Sequence, residues 1–284
     1  MKISASTYSF GNMLYSGEIS QLDCIRKAKD IGFDAIEFVD ILEPEGTSKE
    51  EYAKRLADEC KLLNMPVSSF TFGADLLSGS EGDIHHEIER VKKMVDIAVI
   101  LGAKVIRHDA TTGDGRSFDS ILPFLADACH EITIYAASKG VRTTVENHGF
   151  FCQDSDRMEK LYNAVNHENF GLLLDMGNFL CADEAPEKAF GRLAPYAFYA
   201  HAKDFHMKSA MLPDPGEGFF KTRSGNYLRG AIVGHGDVPV LHCIKALKNA
   251  RYDGYISIEF EGMEENMKAL TIGMNNLRRY IKEA

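Results

Sequence analysis

The chain has 284 residues, of which 45% are hydrophobic, and its 42 acidic and 32 basic side chains give a formal net charge of -10. This acidic balance opposes binding to nucleic acids, because such binding depends mainly on basic side chains that neutralise phosphates. The N-terminal residues show no signal-peptide pattern and no apolar run reaches membrane-spanning length, so we expect neither a signal peptide nor a membrane span. The six cysteines are scattered without a C-x-x-C pair, as is typical of reduced thiols, so we expect a cytoplasmic protein without a membrane partner.

Short β-rich runs alternate with longer amphipathic segments along the chain. The predicted strands cover 3–10, 34–39, 67–73, 104–109, 141–147, 171–176, 198–204 and 255–260. Helices are predicted near 20–31, 48–63, 83–101, 118–139, 155–166, 186–194, 240–250 and 263–282, and segment 83–101 shows the clearest apolar spacing of three and four. Glycines that can end a helix in the left-handed conformation stand before four strands, at Gly32, Gly102, Gly140 and Gly254.

Eight strands separated by helices of this length predict parallel βαβ units, and no G-x-G-x-x-G follows the first strand. We therefore predict one α/β domain over residues 1–284, folded as a (β/α)8 TIM barrel. The connection over about 205–239 is longer than the others. Long loops in compact domains are uncommon unless they have a function, so we predict that this segment is a lid over a substrate site.

Four predicted strands carry a potential metal ligand near their carboxyl ends, namely Glu146, Asp175, His201 and Glu259. In a parallel barrel these ends share one face, where such barrels keep their chemistry, so we expect the four side chains to converge. Each one alone is equally well explained as an ordinary polar strand end. Together, charged groups that close apolar strands require partners or a metal. Their oxygen-rich set favours Mn²⁺, Mg²⁺ or Co²⁺, with Zn²⁺ as the alternative.

Five motifs occur in a characteristic order: VENH (145–148), LLLDMGNF (172–179), HAKDFH (201–206), GHGDVPV (234–240) and GYISIEFEG (254–262). In this order they resemble the xylose-isomerase-like barrel superfamily, which includes sugar-phosphate isomerases and epimerases, ketose 3-epimerases, inosose dehydratases and endonuclease IV. The resemblance covers nearly the whole chain. It implies that Glu146, Asp175, His201 and Glu259 hold the metal, and that the two glutamates act as an acid–base pair on opposite faces of a sugar.

The sequence departs from the superfamily pattern at Asn178, where many relatives have a histidine three residues after the strand-6 aspartate. Endonuclease IV uses that histidine, with several others, for a three-zinc cluster. The asparagine and the acidic charge balance therefore argue against an abasic-site nuclease. An amide also cannot transfer a proton as an imidazole can, so the substrate contact at this position stays open.

Two residues beside the predicted ligands are candidates for substrate binding. His148 can contact substrate hydroxyls or hold Glu146 in place, and a structural loop histidine is the alternative. Lys203 shares the strand parity of His201, so both should point to the barrel interior or mouth. We expect Lys203 to contact a substrate oxygen, and an ion pair with a neighbouring carboxylate is the competing interpretation.

Three further candidates lie at the same predicted face. Glu37 ends the second predicted strand, and it either binds a substrate hydroxyl or pairs with Arg107, which ends the fourth. The glycines of GHGDVPV indicate a tight turn near the site, from which His235 is a candidate for reaching the substrate.

These features predict a divalent-metal-dependent isomerase or epimerase that acts on a ketose or related polyol by proton transfer through an enediolate. Proton return to the opposite face gives epimerisation, and return to the neighbouring carbon gives isomerisation; the sequence does not choose between them. One alternative is a metal-dependent dehydratase or lyase of a keto-inositol or 3-keto-glycoside. The other is a non-catalytic barrel that binds a sugar. Analogy with relatives further suggests a homo-oligomer.

Overall fold

The computed structural model describes the backbone of residues 1–284 and every side chain except that of Asn12. The strands are β1 (Lys2–Ser6), β2 (Ala35–Val39), β3 (Val67–Phe72), β4 (Val105–His108), β5 (Arg142–Glu146), β6 (Phe170–Asp175), β7 (Ala197–Ala202), β8 (Asp204–Lys208), β9 (Phe220–Lys221), β10 (Tyr227–Ala231) and β11 (Tyr255–Ile258). Strands β1 to β7 and β11 are parallel and form a closed barrel in which β11 lies between β7 and β1. The predicted (β/α)8 TIM barrel is confirmed.

Helices fill the connections between the barrel strands. They are α1 (Gly11–Tyr15), α2 (Gln21–Ile31), α3 (Lys49–Leu62), α4 (Ile84–Leu101), α5 (Phe118–Ser138), α6 (Ser155–Val165), α7 (Asn178–Cys181), α8 (Pro186–Leu193), α9 (Val240–Asn249) and α10 (Asn266–Glu283). Their apolar faces pack on the barrel in one continuous core. Among the described residues, no helix has the length and hydropathy needed to cross a membrane.

Two local details differ from the sequence prediction. The first strand ends at Ser6, because Thr7–Phe10 turns into a 3-10 helix whose Ser9 hydroxyl donates to the Ile258 carbonyl oxygen over 2.8 Å. After α9 the left-handed residue is Arg251 (φ 61°). Gly254 is required for another reason, since a Cβ there would lie 2.6 Å from the Tyr252 hydroxyl oxygen.

The segment over 205–239 contains regular structure that the sequence did not indicate. Strands β8, β10 and β9 form an antiparallel three-stranded sheet, which we call the cap sheet. A bridge between Gly230 and Gly262 joins it to the chain after β11. The Asp204 carboxylate accepts hydrogen bonds from the backbone N–H groups of Gly234, Gly236 and Val238, which fixes the following turn. The cap sheet is thus anchored at both ends, and its predicted role as a lid stays a prediction.

Candidate metal centre

The four predicted ligands meet at the carboxyl ends of β5, β6, β7 and β11. One ligand atom each of Glu146, Asp175, His201 and Glu259 lies within 4.8 Å of all the others, and all four residues are buried. Strand register causes this convergence: Asp175 pairs directly with His201 across β6 and β7, and the Glu259 N–H donates to the Ala202 carbonyl oxygen over 3.2 Å. The sequence therefore builds one compact cluster from four distant segments.

The ligand atoms of this cluster face a common centre around His201. Its Nδ1 atom is 3.7 Å from Glu146 Oε1, Asp175 Oδ2 and Glu259 Oε1. Within the described residues, His201 Nδ1 and Asp175 Oδ2 are buried without a hydrogen-bond partner. An ion that binds at about 2.1 Å keeps its ligand atoms about 3–4.2 Å apart, and the separations around His201 fit that range. The donor set and its spacing therefore fit one divalent cation.

Glu37 orients the imidazole of His201. Both carboxylate oxygens of Glu37 lie 3.0 Å from His201 Nε2, and the Thr71 hydroxyl donates to Glu37 Oε1 over 2.6 Å. An Nε2–H group that donates to Glu37 leaves the Nδ1 lone pair directed at the centre, as in metal sites where a carboxylate holds the ligand histidine. Glu37 lies within β2 and is fully buried, and it does not form the ion pair with Arg107 that was one predicted alternative.

Each glutamate of the cluster pairs one carboxylate oxygen with a basic side chain and directs the other oxygen towards the centre. Arg107 Nε is 2.6 Å from Glu146 Oε2, and Lys203 Nζ is 2.5 Å from Glu259 Oε2. Burial alone would raise the pKa of both glutamates, but Arg107 holds the pKa of Glu146 well below its usual range, and Lys203 lowers that of Glu259. Asn178 donates to Glu146 Oε1 over 2.9 Å. Both glutamates are therefore ionised and held in place.

With His201 neutral and Asp175 ionised, as metal binding requires, the buried charges leave a negative excess. The carboxylates of the centre are those of Glu37, Glu146, Asp175 and Glu259, and the permanent cations are those of Arg107 and Lys203. Burial raises the pKa of Asp175 to about 7, and Glu146 and Glu259 add to the rise that Lys203 opposes. Buried carboxylates need a counter-charge, and one divalent cation would balance two unpaired negative charges. Charge and geometry thus point to the same kind of ligand.

The remaining substrate-binding candidates occupy different surroundings. Lys203 forms the ion pair with Glu259 that was the competing interpretation of this residue, and it is buried. His148 is half-exposed, with Nδ1 at 2.9 Å from Asp109 Oδ1, and Arg107 contacts the same aspartate. His235 is exposed in the turn held by Asp204. A substrate role for each of these residues stays a prediction.

Metal affinity is expected to rise with pH through neutrality. The carboxylates around His201, Glu37 foremost, outweigh the effect of burial and raise its pKa well above the usual value, while the pKa of Asp175 is about 7. A cation that binds His201 Nδ1 and Asp175 Oδ2 must displace protons from both groups. The apparent Kd should therefore rise about tenfold for each pH unit by which the pH falls, and more steeply below about pH 7. Calorimetric titration with Mn²⁺ in buffers of different ionisation enthalpy counts the protons released. A Kd that does not change between about pH 6 and pH 8 contradicts this.

Comparison with known proteins places the chain in a family. Residues 25–280 match the family model described as xylose isomerase-like TIM barrel. The chain belongs to this family. An inosose dehydratase of Clostridium perfringens (strain 13 / Type A) is 24% identical over 162 residues, or 56% of this chain and 53% of that protein, so the match spans about half of the relative.

Solved structures of similar proteins share the whole fold. The IOLI protein, solved with a bound zinc atom, has a TM-score of 0.78 at 18% identity, covering 100% of this chain and 99% of that chain. An L-ribulose 3-epimerase has a TM-score of 0.76 at 15% identity, covering 99% of this chain and 95% of that chain. At such identities the likeness shows the fold, and the reaction has to be argued from the site.

Proposed function

We propose that the protein is a divalent-metal-dependent isomerase or epimerase of a ketose or related polyol. The observation that carries this proposal is the buried cluster in which two ionised glutamates each direct one oxygen at a shared cation site. The family, which has an epimerase and a dehydratase among the similar proteins, supports a sugar-related small molecule as the substrate. Its cytoplasmic location and homo-oligomeric state stay predictions from the sequence.

Glu146, Asp175, His201 and Glu259 would hold the cation. When bound, a divalent ion polarises a carbonyl group and stabilises negative charge on adjacent oxygens. We favour Mn²⁺, Mg²⁺ or Co²⁺ because three of the four donors are carboxylates, and Zn²⁺ is the alternative. Zinc in the IOLI structure is a property of that protein.

The two glutamates supply the proton transfer. In the barrel, β6 and β7 separate the strand of Glu146 from that of Glu259, so their carboxylates approach the centre from different sides. One ionised carboxylate removes the proton next to the substrate carbonyl, which produces the enediolate. The other glutamate must first take up a proton, from solvent or from the Lys203 ammonium group 2.5 Å away in the case of Glu259; its return to the opposite face gives the epimer. A proton returned to the neighbouring carbon gives the aldose or ketose isomer.

A dehydratase or lyase is the second candidate. The match to an inosose dehydratase favours it, as does the Lys203 ammonium group beside Glu259. In such a reaction one glutamate removes the proton next to the carbonyl and passes it to the hydroxyl group on the next carbon, which leaves as water. The positive charge of Lys203 would stabilise the departing oxygen.

Proton exchange from solvent tests the proposed function. We expect metal-loaded protein in D2O to incorporate deuterium at one carbon of a ketose or keto-inositol, and a chelator to stop the exchange. Nuclear magnetic resonance identifies the carbon, and ultraviolet absorbance detects the unsaturated product of dehydration. If metal-loaded protein binds a ketose or keto-inositol but exchanges no proton, the enzymatic proposal fails and the non-catalytic sugar-binding barrel takes its place.

A further inference from the structure

A cleft opens beside Glu259 at the barrel mouth. Its volume is about 470 Å³, within the range of about 300–1,000 Å³ that is typical of small-molecule sites. Its lining includes Tyr8, Tyr15, Glu261, Glu264 and Asn266. The rings of Tyr8 and Tyr15 pack edge to face, with centroids 6.3 Å apart. The lining therefore combines aromatic rings with carboxylates.

Lys203 links the cleft to the candidate metal centre. Lys203 Nζ lies 2.5 Å from Glu259 Oε2 and 3.4 Å from Glu261 Oε2, so it bridges a cluster ligand and a residue of the cleft. Burial raises the pKa of Tyr8, and the negative charge of the nearby Glu261 adds to this rise. A substrate whose reacting carbons lie at the centre would therefore extend its remaining part past Lys203 towards Tyr8 and Glu261.

The charges around this cleft disfavour an anionic ligand. Two of its described lining residues are glutamates, and no lysine or arginine is among them. Four basic side chains near the mouth have carboxylate partners: Arg107 has Glu146 and Asp109, Lys203 has Glu259 and Glu261, Arg223 has Asp154, and Arg229 has Glu264. A phosphate with a charge of about -2 would meet like charges here, and like charges in contact are unfavourable in recognition.

We propose that this cleft holds the distal, uncharged and hydroxylated part of the substrate, and that the protein acts on a neutral sugar or polyol instead of its phosphate. The inference rests on the proposed function and decides a substrate property that the cluster leaves open. Tyr8 and Tyr15 offer ring faces to the C–H surface of a sugar. Glu261 accepts hydrogen bonds from hydroxyl groups. Both properties suit a polyol and neither suits a phosphate.

Matched pairs of free sugars and their phosphates test the inference, for example D-fructose with fructose 6-phosphate and D-ribulose with ribulose 5-phosphate. We expect kcat/KM for deuterium exchange in D2O to be about tenfold or more higher for the neutral member of any reactive pair. A phosphate that reacts as well as its neutral partner overturns the inference but leaves the proposed function standing. Absence of exchange across the panel counts against the proposed function.

Binding provides a readout that does not depend on turnover. The chain has no tryptophan, and two of its 11 tyrosines line the cleft, so tyrosine emission should report occupancy. With metal-loaded protein, we expect the free sugar of each pair to change the tyrosine emission at a lower concentration than its phosphate does. The double variant Tyr8→Phe/Tyr15→Ala should show a smaller change in emission. Tighter binding of the phosphates, or no response to any neutral member, overturns the inference even when no reaction is seen.

A charge variant with a matched control distinguishes the effect of a charge in the cleft from the effect of the net charge of the protein. Glu264→Gln removes a negative charge from the cleft and releases Arg229, whose Nη2 lies 3.6 Å from Glu264 Oε1. We expect Glu264→Gln to lower the ratio of kcat/KM for a neutral sugar to kcat/KM for its phosphate severalfold. Glu283→Gln removes the same charge from an exposed pair with Arg279, about 25 Å along α10 from the cleft residue Asn266, and should leave the preference unchanged. An equal effect of both variants overturns the inference.

Discussion

Glu146→Gln and Glu259→Gln are each expected to lower turnover by a factor of about 10²–10⁴ or more, the usual contribution of a general acid or base. Glutamine keeps the shape and one oxygen of the side chain, but its amide accepts no proton at neutral pH. In the structure each glutamate pairs one oxygen with Arg107 or Lys203 and directs the other at the centre. The substitution therefore removes the carboxylate that we propose to transfer the proton. Deuterium exchange from D2O at saturating metal measures the loss.

The fold of both variants should survive, because neither substitution leaves a cation alone. Arg107 retains Asp109 at 2.8 Å after Glu146→Gln, and Lys203 retains Glu261 at 3.4 Å after Glu259→Gln. Circular dichroism and thermal unfolding check this. Glu87→Gln is the matched control, since it removes a buried carboxylate that pairs with Arg90 on α4, away from the cluster. Near-wild-type exchange by either cluster variant would refute the assigned role.

The metal cluster was predictable from the sequence because the carboxyl ends of parallel strands lie at one face of a barrel. The sequence position of a polar residue at the end of an apolar strand therefore predicts where that residue lies in the fold. Asp175 and His201, which are far apart in the chain, become direct partners through the register of β6 and β7. The same logic placed Glu146 and Glu259 beside them, and it needed only the alternation of strands and helices.

The partner of His201 was not predictable in the same way. Glu37 is 164 residues away from His201 in sequence, and its contact crosses the barrel interior. Strand periodicity indicates that a residue points inward, but it does not indicate which inward residue opposite will meet it. The sequence analysis therefore left Glu37 between a substrate hydroxyl and Arg107, and the structure shows a third partner.

The cap sheet and the cleft escaped sequence analysis for related reasons. Strand β9 has two residues, and the last residues of β8 are exposed, so neither shows the apolar alternation that indicates a strand. Tyr8 lies in the turn after β1 and reaches the cleft only because Ser9 ties that turn to β11. Such features depend on contacts between distant segments. Local patterns carry little information about them.

Glu37→Gln is expected to weaken metal affinity about 10–100-fold, the usual effect of losing the carboxylate that supports a metal-binding histidine. The negative charge of Glu37 makes the imidazole a better ligand and fixes the nitrogen that faces the centre. A glutamine can still accept the hydrogen bond from Nε2, but it carries no charge and can turn its amide group. Competition with a chromogenic chelator measures the Kd of Mn²⁺ for wild type and variant.

Activity at high metal concentration distinguishes support of the metal from contact with the substrate. If Glu37 acts through His201, excess Mn²⁺ should restore most of kcat in Glu37→Gln and leave KM near the wild-type value, because the carboxylate oxygens of Glu37 are occupied by His201 and Thr71. Glu87→Gln, again the control, should lose stability without a change in metal affinity, since Glu87 lies on α4. An unchanged Kd in Glu37→Gln, or a raised KM at saturating metal, would show that Glu37 does not support the metal through His201.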